Sequence, residues 1–262
     1  MRYLVVDLEA TCWSKEEDPT LALIQSEESE IIEIGAVALD ESLAPIDEFQ
    51  RFVRPVRHPK LSGFCTKLTT ITQQDVDTAS DFDVVYAQFD AWMGGAGGAG
   101  LDFVSWSRYD HRQLVHQCHV AGLSRPCWSA TDAKVEFTDW VRGHTGKRRR
   151  FGMARALAYL GLEACGTAHR GIDDARSLVK IFQHIRDPAN LSEHALSVLS
   201  VAVELHPLPV NVGHLRKVDP WVRQWFPRVK KELLRLRLAE DLGLGRGLRL
   251  TSQGLRVVTA RG

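Results

Sequence analysis

Two acids separated by a single residue stand near the start of the chain, at a spacing that suits chemistry. Asp7 and Glu9 end a short apolar run that begins at Tyr3. Because side chains alternate along a strand, both carboxylates project from the same face. Both can therefore reach one metal ion. An isolated pair of this kind is more typical of a solvated strand end, so a metal site needs further ligands.

Three more residues of suitable type stand at the boundaries of predicted elements. Asp110 opens a predicted helix just after a predicted strand, and His169 precedes Asp174 by five residues at the start of the helix predicted over 173–185. On such a helix Asp173 points about 100° away from Asp174, so Asp174 is the assigned ligand. Four carboxylates with one imidazole are typical of an Mg²⁺ or Mn²⁺ site, whereas zinc prefers cysteine or more histidine.

The elements that must position these residues follow an α/β pattern. Short apolar runs rich in β-branched residues predict strands, and apolar residues at helical spacing predict helices. Strands are expected over 3–11, 31–39, 49–53 and 101–106, and helices over 84–93, 110–121, 137–141, 153–160 and 173–185. This order predicts a mixed sheet flanked by helices. The polar stretch 14–29 predicts a mobile loop, and the glycine run 94–100 predicts a flexible connection.

The sequence changes character after Asp187 and Pro188, where leucine and arginine become frequent. We therefore predict two domains, 1–187 and 188–262, the second a mainly helical basic C-terminal extension. Two helices and a hairpin are expected in this extension, the helices over 193–204 and 220–242 and the hairpin strands over 248–251 and 255–259. Helices closed by a basic hairpin are compatible with a winged-helix-like module.

Composition and charge narrow the class of protein. The 262 residues are 44% hydrophobic and 25% charged with a net charge of zero, which excludes intrinsic disorder. No apolar stretch reaches the ~18 residues of a membrane span, so we expect no membrane partner. Five cysteines without a C-x-x-C pair predict reduced thiols in the cytoplasm. Charge is uneven, with −11 over residues 1–100, +5 over 101–188 and +6 over 189–262. The acidic end suits metal ions, and the basic remainder suits a polyanion.

The ordered set Asp7-x-Glu9, Asp110 and His169-x₄-Asp174 resembles the pattern of the DEDDh 3′-to-5′ exonucleases. Several longer stretches are similar to the histone-mRNA exonuclease subfamily, and together they span roughly residues 1–186. They are DLEATCW at 7–13, EIIEIGAV at 30–37, FVRP at 52–55, LSGFCTKLTTIT at 61–72, SWSRYD at 105–110 and HRGIDDARSL at 169–178. Several motifs in one order are specific, whereas a lone D-x-E is not.

The resemblance implies a ribonuclease-H-like fold and a metal-dependent reaction. Two divalent cations, Mg²⁺ or Mn²⁺, would clamp the attacking and leaving oxygens of a phosphodiester. The implied metal ligands are Asp7, Glu9, Asp110 and Asp174, and His169 is the implied general base. The expected reaction is the removal of nucleoside 5′-monophosphates from single-stranded 3′ ends, of RNA rather than DNA.

Substrate contacts are implied at four kinds of position. Ala10 and Thr11 would lie under the terminal sugar, and Leu68 and Thr69 would form the opposite wall. Three rings could stack a base, although each is also typical of a core residue: Trp13, Phe64 and Trp106. One basic run could touch phosphates or lie on a solvated surface, namely Lys147, Arg148, Arg149 and Arg150.

Two alternatives from other functional classes remain at this level. The chain could be a nucleic-acid-binding module that keeps the fold and hydrolyses nothing, although all five motif positions are intact. The basic extension could also dock a protein partner or a structured RNA, because its charge lies outside the catalytic motifs.

Overall fold

The computed structural model describes residues 2–94, 99–124, 126–219, 222–243 and 246–259. Unit 1 comprises Met1–Val135 and Phe151–Ile181, and unit 2 comprises Glu136–Arg150 and Phe182–Gly262. The sequence predicts one boundary after residue 187, whereas residues 136–150 and 182–187 fall into unit 2. The ion pair between Glu136 and Arg186, 2.8 Å long, is one of the contacts internal to that unit.

Unit 1 contains a five-stranded mixed sheet in the order β3-β2-β1-β4-β5. The strands are β1 (Tyr3–Ala10), β2 (Ile31–Leu39), β3 (Pro45–Phe52), β4 (Asp102–Ser105) and β5 (Ser129–Asp132). β1 is antiparallel to β2, and β2 is antiparallel to β3. β4 runs parallel to both β1 and β5. The predicted mixed sheet is confirmed, and its central strand is the one that carries Asp7 and Glu9.

The central strands are apolar runs because both of their faces are covered. All residues of β2 are buried, and β1 is buried except at Asp7, which is partly exposed. Leu4, Val6 and Leu8 share a core cluster with Phe103 and Leu114. This packing holds β1 rigidly and leaves its acidic end as the position from which polar side chains can act.

Helices surround the sheet of unit 1 and confirm most of the helical predictions. Their bounds are α1 (Pro19–Leu23), α2 (Gln25–Glu28), α3 (Gly63–Thr69), α4 (Gln73–Asp77), α5 (Phe82–Trp92), α6 (Arg108–Val120), α7 (Ala133–Thr145), α8 (Met153–Leu160) and α9 (Gly171–Arg186), of which α7 and α9 end within unit 2. The prediction of a loop over 14–29 is wrong for 19–28, because Asp18 caps α1 by accepting hydrogen bonds from the amides of Thr20 and Leu21.

Unit 2 also contains α10 (Glu193–Leu205), α11 (Val212–Leu215), α12 (Val222–Arg235), β6 (Ala239–Asp241), β7 (Leu248–Leu250) and α13 (Ser252–Thr259). These elements surround a separate apolar core that includes Leu199, Trp225 and Leu233. The C-terminal residues are therefore mainly helical, as predicted. The winged-helix likeness stays a prediction.

Two predictions for the C-terminal residues are wrong in detail. β7 pairs with β6, and the second predicted hairpin strand, 255–259, belongs to α13. Thr251 starts that helix by accepting a hydrogen bond from the Gly254 amide at 3.1 Å. The helix predicted over 220–242 ends at residue 235, before Arg237, whose φ of 55° lies in the left-handed region. Its predicted start, 220–221, lies outside the described residues.

Within the described part of the chain, the search for a helix long and apolar enough to cross a bilayer finds none. The glycine run predicted to be flexible, 94–100, has its middle at 95–98 outside the described residues. That expectation therefore stays a prediction.

Candidate active site

The acidic end of β1 lies beside a second acid on β2. In the antiparallel pairing, Asp7 lies opposite Gly35 and Glu9 lies opposite Glu33. Glu9 is 8% exposed and Glu33 is fully buried. The two strands therefore bring carboxylates together in a place from which water is largely excluded.

Two glycines allow the start of α9 to approach this pair of strands. A Cβ atom on Gly35 would lie 2.0 Å from the carbonyl carbon of Gly171, and a Cβ on Gly171 would lie 3.0 Å from the carbonyl oxygen of Asp7. No side chain fits at Gly35 without a shift of the backbone. The close contact sets the first turn of α9, and thus Asp174, beside β1.

His169 precedes α9 in a backbone conformation that is rare for a residue with a side chain. Its φ is 59°, and its amide donates a hydrogen bond to Asp174 Oδ2 at 2.9 Å. Left-handed backbone of this kind costs energy and persists where its surroundings fix it. The hydrogen bond ties the imidazole-bearing residue to the carboxylate of Asp174.

Asp110 reaches the site from the first turn of α6. Ser107 caps this helix by accepting a hydrogen bond from the Tyr109 amide, which places Asp110 in the first turn. The side chain of Asp110 accepts a hydrogen bond from the Leu8 amide at 3.2 Å. Leu8 lies between Asp7 and Glu9, so the third predicted acid is joined to the same strand.

Three of the predicted residues form a group that could hold a metal ion. One ligand atom from each of Glu9, His169 and Asp174 lies within 4.8 Å of the other two. Asp7 and Asp110 fall outside this tight group, although the charge of Asp110 acts on both Asp7 and Glu9. The structure thus brings the five sequence-predicted residues to one region, with the tightest association among Glu9, His169 and Asp174.

The carboxylates hold their protons more strongly than isolated acids do. Burial, together with the charges of Asp174, Glu33 and Asp110, raises the pKa of Glu9 to about 8. Burial also raises the pKa of Asp110 to about 7, against the opposing effect of the Leu8 N–H. The pKa of Asp7 is raised by burial and then by Asp110, Glu9 and Asp174. The pKa of Asp174 is raised by burial, which the amide of His169 partly offsets.

This electrostatic pattern fits a divalent cation. Buried like charges repel one another and favour protonation, whereas a cation among them would favour the ionised form. Oxygen ligands in this number suit Mg²⁺ or Mn²⁺. The residues therefore fit the cofactor that the sequence predicts, and the assignment of individual ligands stays a prediction.

Glu33 is a site residue that sequence analysis did not assign. Its Oε2 accepts hydrogen bonds from Arg170 Nε at 3.2 Å and from the Gly171 amide at 3.0 Å, and its Oε1 accepts one from Gln50 Nε2 at 2.6 Å. Glu33 therefore fixes the start of α9 from the neighbouring strand. Its position two residues before Gly35, within the apolar run of β2, was the available signal.

The two threonines predicted to contact substrate are engaged within the protein. The amide of Thr11 donates to the Glu30 carbonyl at 2.8 Å, and its hydroxyl accepts from the Glu30 amide at 2.9 Å. The hydroxyl of Thr69 donates to the Cys65 carbonyl and accepts from the Ile71 amide. Both side chains are buried, and their contact with substrate stays a prediction.

The other predicted substrate residues differ in exposure. Trp13 and Trp106 are buried, and the ring of Trp13 makes an edge contact with His58 at 4.9 Å. Phe64 is the most open of the three rings, at 36% exposed. Ala10 is buried at the end of β1 and Leu68 is partly buried on α3. Lys147, Arg148, Arg149 and Arg150 are exposed and belong to unit 2.

A mixed sheet with acids at the end of its central strand, on the first turn of α6 and on the first turn of α9 defines a class of nuclease with a ribonuclease-H-like fold. The chain belongs to the RNase_T exonuclease family, whose sequence model matches residues 4–182, and within it to the DEDDh 3′-to-5′ exonucleases. Membership makes the protein a hydrolytic 3′-to-5′ exonuclease of a family that uses divalent metals.

Three similar proteins show how far the likeness extends. The 3′-5′ exonuclease Snipper of Drosophila melanogaster is 30% identical over 209 residues, which cover 72% of this chain and 71% of Snipper. The human ERI1 exoribonuclease 2 is 31% identical over 207 residues, 70% of this chain but only 28% of that protein. The structure of the nuclease domain of 3′hExo, a DEDDh family member bound to rAMP, is 27% identical with a TM-score of 0.59, covering 70% of this chain and 90% of that domain.

Proposed function

We propose that the protein removes nucleoside 5′-monophosphates from the 3′ ends of single-stranded nucleic acid, with RNA as the preferred substrate. The observation that carries the proposal is the group formed by Glu9, His169 and Asp174, with Asp7 and Asp110 joined to the same strand end.

The proposed cofactor is a pair of Mg²⁺ or Mn²⁺ ions held by Asp7, Glu9, Asp110 and Asp174, which would supply positive charge to the scissile phosphate and make a bound water more acidic. The carboxylates must be ionised to bind the cations, although burial favours their protonated form when no cation is bound. Asp110 accepts a hydrogen bond from the Leu8 amide, which holds its carboxylate in a fixed orientation.

His169 is the proposed general base. A neutral imidazole accepts a proton from the attacking water at a ring nitrogen and can return it to solvent. His169 is exposed, so the proton can leave the site. The hydrogen bond from its amide to Asp174 holds the backbone and limits where the ring can lie.

Relatives with solved structures support a ribonucleotide substrate. One is the 3′hExo domain bound to rAMP, and another is a 3′-exonuclease described as recognising the 3′ end of a histone mRNA stem-loop. Ala10, Thr11, Leu68 and Thr69 would form the wall beside the terminal sugar, and Phe64 is the most accessible ring for a base. Cysteine usage supports a cytoplasmic location, which is likewise a proposal.

The test follows 5′-labelled oligonucleotides in the presence of Mg²⁺ or Mn²⁺. We expect stepwise shortening of single-stranded RNA with a free 3′-hydroxyl, slower shortening of DNA and of duplexes, and release of 5′-monophosphates. Asp7→Asn should abolish the reaction, whereas Asp83→Asn, an exposed carboxylate on α5, should not change it. Internal cleavage, or equal shortening by the Asp7→Asn variant, would contradict the proposal. Binding without turnover by the wild type would favour the non-catalytic alternative.

A further inference from the structure

The two units carry formal charges of opposite sign. Unit 2 contains 18 lysines and arginines against 9 aspartates and glutamates, a formal charge of +9. Unit 1 has the opposite charge, −9. A polyanion is therefore attracted to unit 2 by long-range electrostatics, independently of the carboxylate site in unit 1.

Unit 2 also contains a cavity of about 380 Å³, which we call the unit 2 cavity. Its walls come from the last turns of α7, the start of α10 and one face of α12. Ligand pockets commonly start at about 300 Å³, so this volume can hold one nucleotide base with part of its sugar. All of its lining residues belong to unit 2.

Two aromatic pairs, each with its rings tilted against one another, form two parts of the cavity wall. The rings of Trp140 and His144 lie 4.1 Å apart between centroids, and those of Trp225 and His194 lie 4.7 Å apart. Trp140 is held by a hydrogen bond from its Nε1 to the Asn190 carbonyl, and Trp225 by one to Asp219. Rigid ring systems of this kind are the platforms on which bases of single strands stack.

Two of the acids in the wall already accept hydrogen bonds within unit 2. Glu136 accepts hydrogen bonds from Arg186 at 2.8 and 3.2 Å. Glu232 accepts hydrogen bonds from the amide and the hydroxyl of Ser192 at 2.9 and 2.7 Å. These carboxylates are consequently poor acceptors for a ligand. The basic groups of the cavity therefore have the larger influence on which ligand charge it prefers.

Arg235 lines the cavity, and one of its hydrogen-bond donors has no acceptor in the described part of the chain. Its terminal nitrogens donate to the carbonyls of Ile185 and Glu136, at 3.0 and 3.4 Å. Its Nε is buried and, among the described residues, has no hydrogen-bond partner. A buried donor left without an acceptor is costly, and a ligand oxygen would satisfy it.

The rim of the cavity continues into the basic run that the sequence singles out. Arg142, Arg228 and Lys231 line the cavity together with the acids Asp139 and Glu193. Gly146 is also a lining residue, and the exposed run Lys147–Arg150 follows it directly. A chain entering or leaving the cavity at Gly146 would thus meet four consecutive positive charges.

We propose that the unit 2 cavity binds one base of a single-stranded nucleic acid between its aromatic walls, with the adjoining phosphates on Lys147–Arg150 and the basic rim. The inference rests on the proposed function in one respect: we take the strand bound by unit 2 to be the strand that the nuclease shortens. It assigns unit 2 a strand-binding site of its own, separate from the residues of the carboxylate site.

The test measures binding of a labelled oligouridylate to the full chain in chelator, so that nothing is degraded. Arg142→Ala/Lys231→Ala removes two charges from the cavity, and Lys217→Ala/Arg223→Ala removes two exposed charges of unit 2 that do not line it. We expect the cavity pair to weaken binding about tenfold or more at ~0.1 M salt and to reduce the salt slope by about 1.4, since each lost phosphate contact on a single strand removes ~0.7. The control pair should weaken binding less than about threefold.

A second measurement separates the contribution of base stacking to affinity from that of the phosphate charges. An abasic strand of the same length carries the same phosphates, and one stacked base is worth roughly 5- to 150-fold in affinity. The wild type should prefer oligouridylate over the abasic strand by a factor in that range, and Trp140→Ala should reduce this preference. Trp140 also donates a hydrogen bond to the Asn190 carbonyl, so Trp140→Ala could fail to fold. In that case the comparison of Arg142→Ala/Lys231→Ala with its control pair decides.

Two results would overturn the inference. Equal weakening by the two double variants, or none by either, would mean that the cavity does not hold the strand. An undiminished preference for bases in folded Trp140→Ala would have the same meaning. Loss of exonuclease activity in Asp7→Asn bears on the carboxylate site alone, so failure of either proposal can be recognised without the other.

Discussion

Protons and divalent cations should compete for the carboxylate cluster, which makes the stability of unit 1 depend on pH and metal together. Without metal, burial and mutual repulsion raise the pKa of Glu9 from 4.5 to about 8 and that of Asp110 from 3.8 to about 7. The folded state therefore binds protons that the unfolded state releases. The contribution of these two groups to the free energy of unfolding is therefore greatest below about pH 4 and falls as pH rises towards 8.

The magnitude follows from the linkage relation. Between the unfolded and folded pKa values, each rise of one pH unit removes at most about 1.4 kcal/mol per carboxyl. Glu9 alone therefore accounts for up to about 5 kcal/mol between its pKa values of 4.5 and about 8. Between about pH 5.5 and pH 7.5 the loss for this one group is about 2–3 kcal/mol. Because Asp110 and Glu9 repel each other, their contributions are not additive.

The assay is urea unfolding of the chelated protein over this pH range, repeated with Mg²⁺. We expect stability to fall with pH in chelator and to be restored by Mg²⁺, more at about pH 7.5 than at pH 5.5, since the cation binds the ionised form. Glu9→Gln should flatten the pH dependence and weaken the response to Mg²⁺. Glu41→Gln, an exposed control, should keep both. An identical pH slope in the wild type and in Glu9→Gln would refute the reasoning.

Other substitutions test the elements that build the site. Gly35→Ala should lower the free energy of unfolding by about 3 kcal/mol or more in urea titrations, because its Cβ would lie 2.0 Å from the Gly171 backbone. Gly152→Ala meets open space and should cost only about 1 kcal/mol, because alanine is a poorer N-cap of α8 than glycine. Glu33→Gln should cost about 2–4 kcal/mol in the same titration by leaving Arg170 without its ion pair. Asp7→Asn should reduce kcat about a thousandfold or more in the shortening assay, since metal-ion catalysis supplies several kcal/mol.

Much of unit 1 could be predicted because its signals are local. β2 was predicted with its observed bounds because a strand covered on both faces is a continuous apolar run. The acids stand at element ends, where a polar residue interrupts an apolar pattern and is easily noticed. β5 was missed since its sequence, SATD, is short and polar and becomes a strand only by pairing with β4.

The roles of Glu33 and Gly35 could not be predicted because they depend on contacts distant in sequence. Nothing near Gly35 indicates that the Gly171 backbone packs against it. Glu33 resembles one polar residue in an apolar strand until Arg170 and Gly171 are seen beside it. The C-terminal helix and hairpin were misplaced for a related reason: leucine and arginine suit helix and strand alike, and the end of α12 near Arg237 is set by a backbone turn rather than by composition.

Binding of Mn²⁺, followed by electron paramagnetic resonance, tests most directly whether these acids form one cation site. With the wild type at neutral pH we predict saturable loss of the free Mn²⁺ signal, competed by Mg²⁺ and weakened strongly by Asp7→Asn, Glu9→Gln and Asp174→Asn. The exposed control Asp83→Asn should bind like the wild type. If the three site variants bound Mn²⁺ as tightly as the control, the carboxylates would not act together on a metal ion.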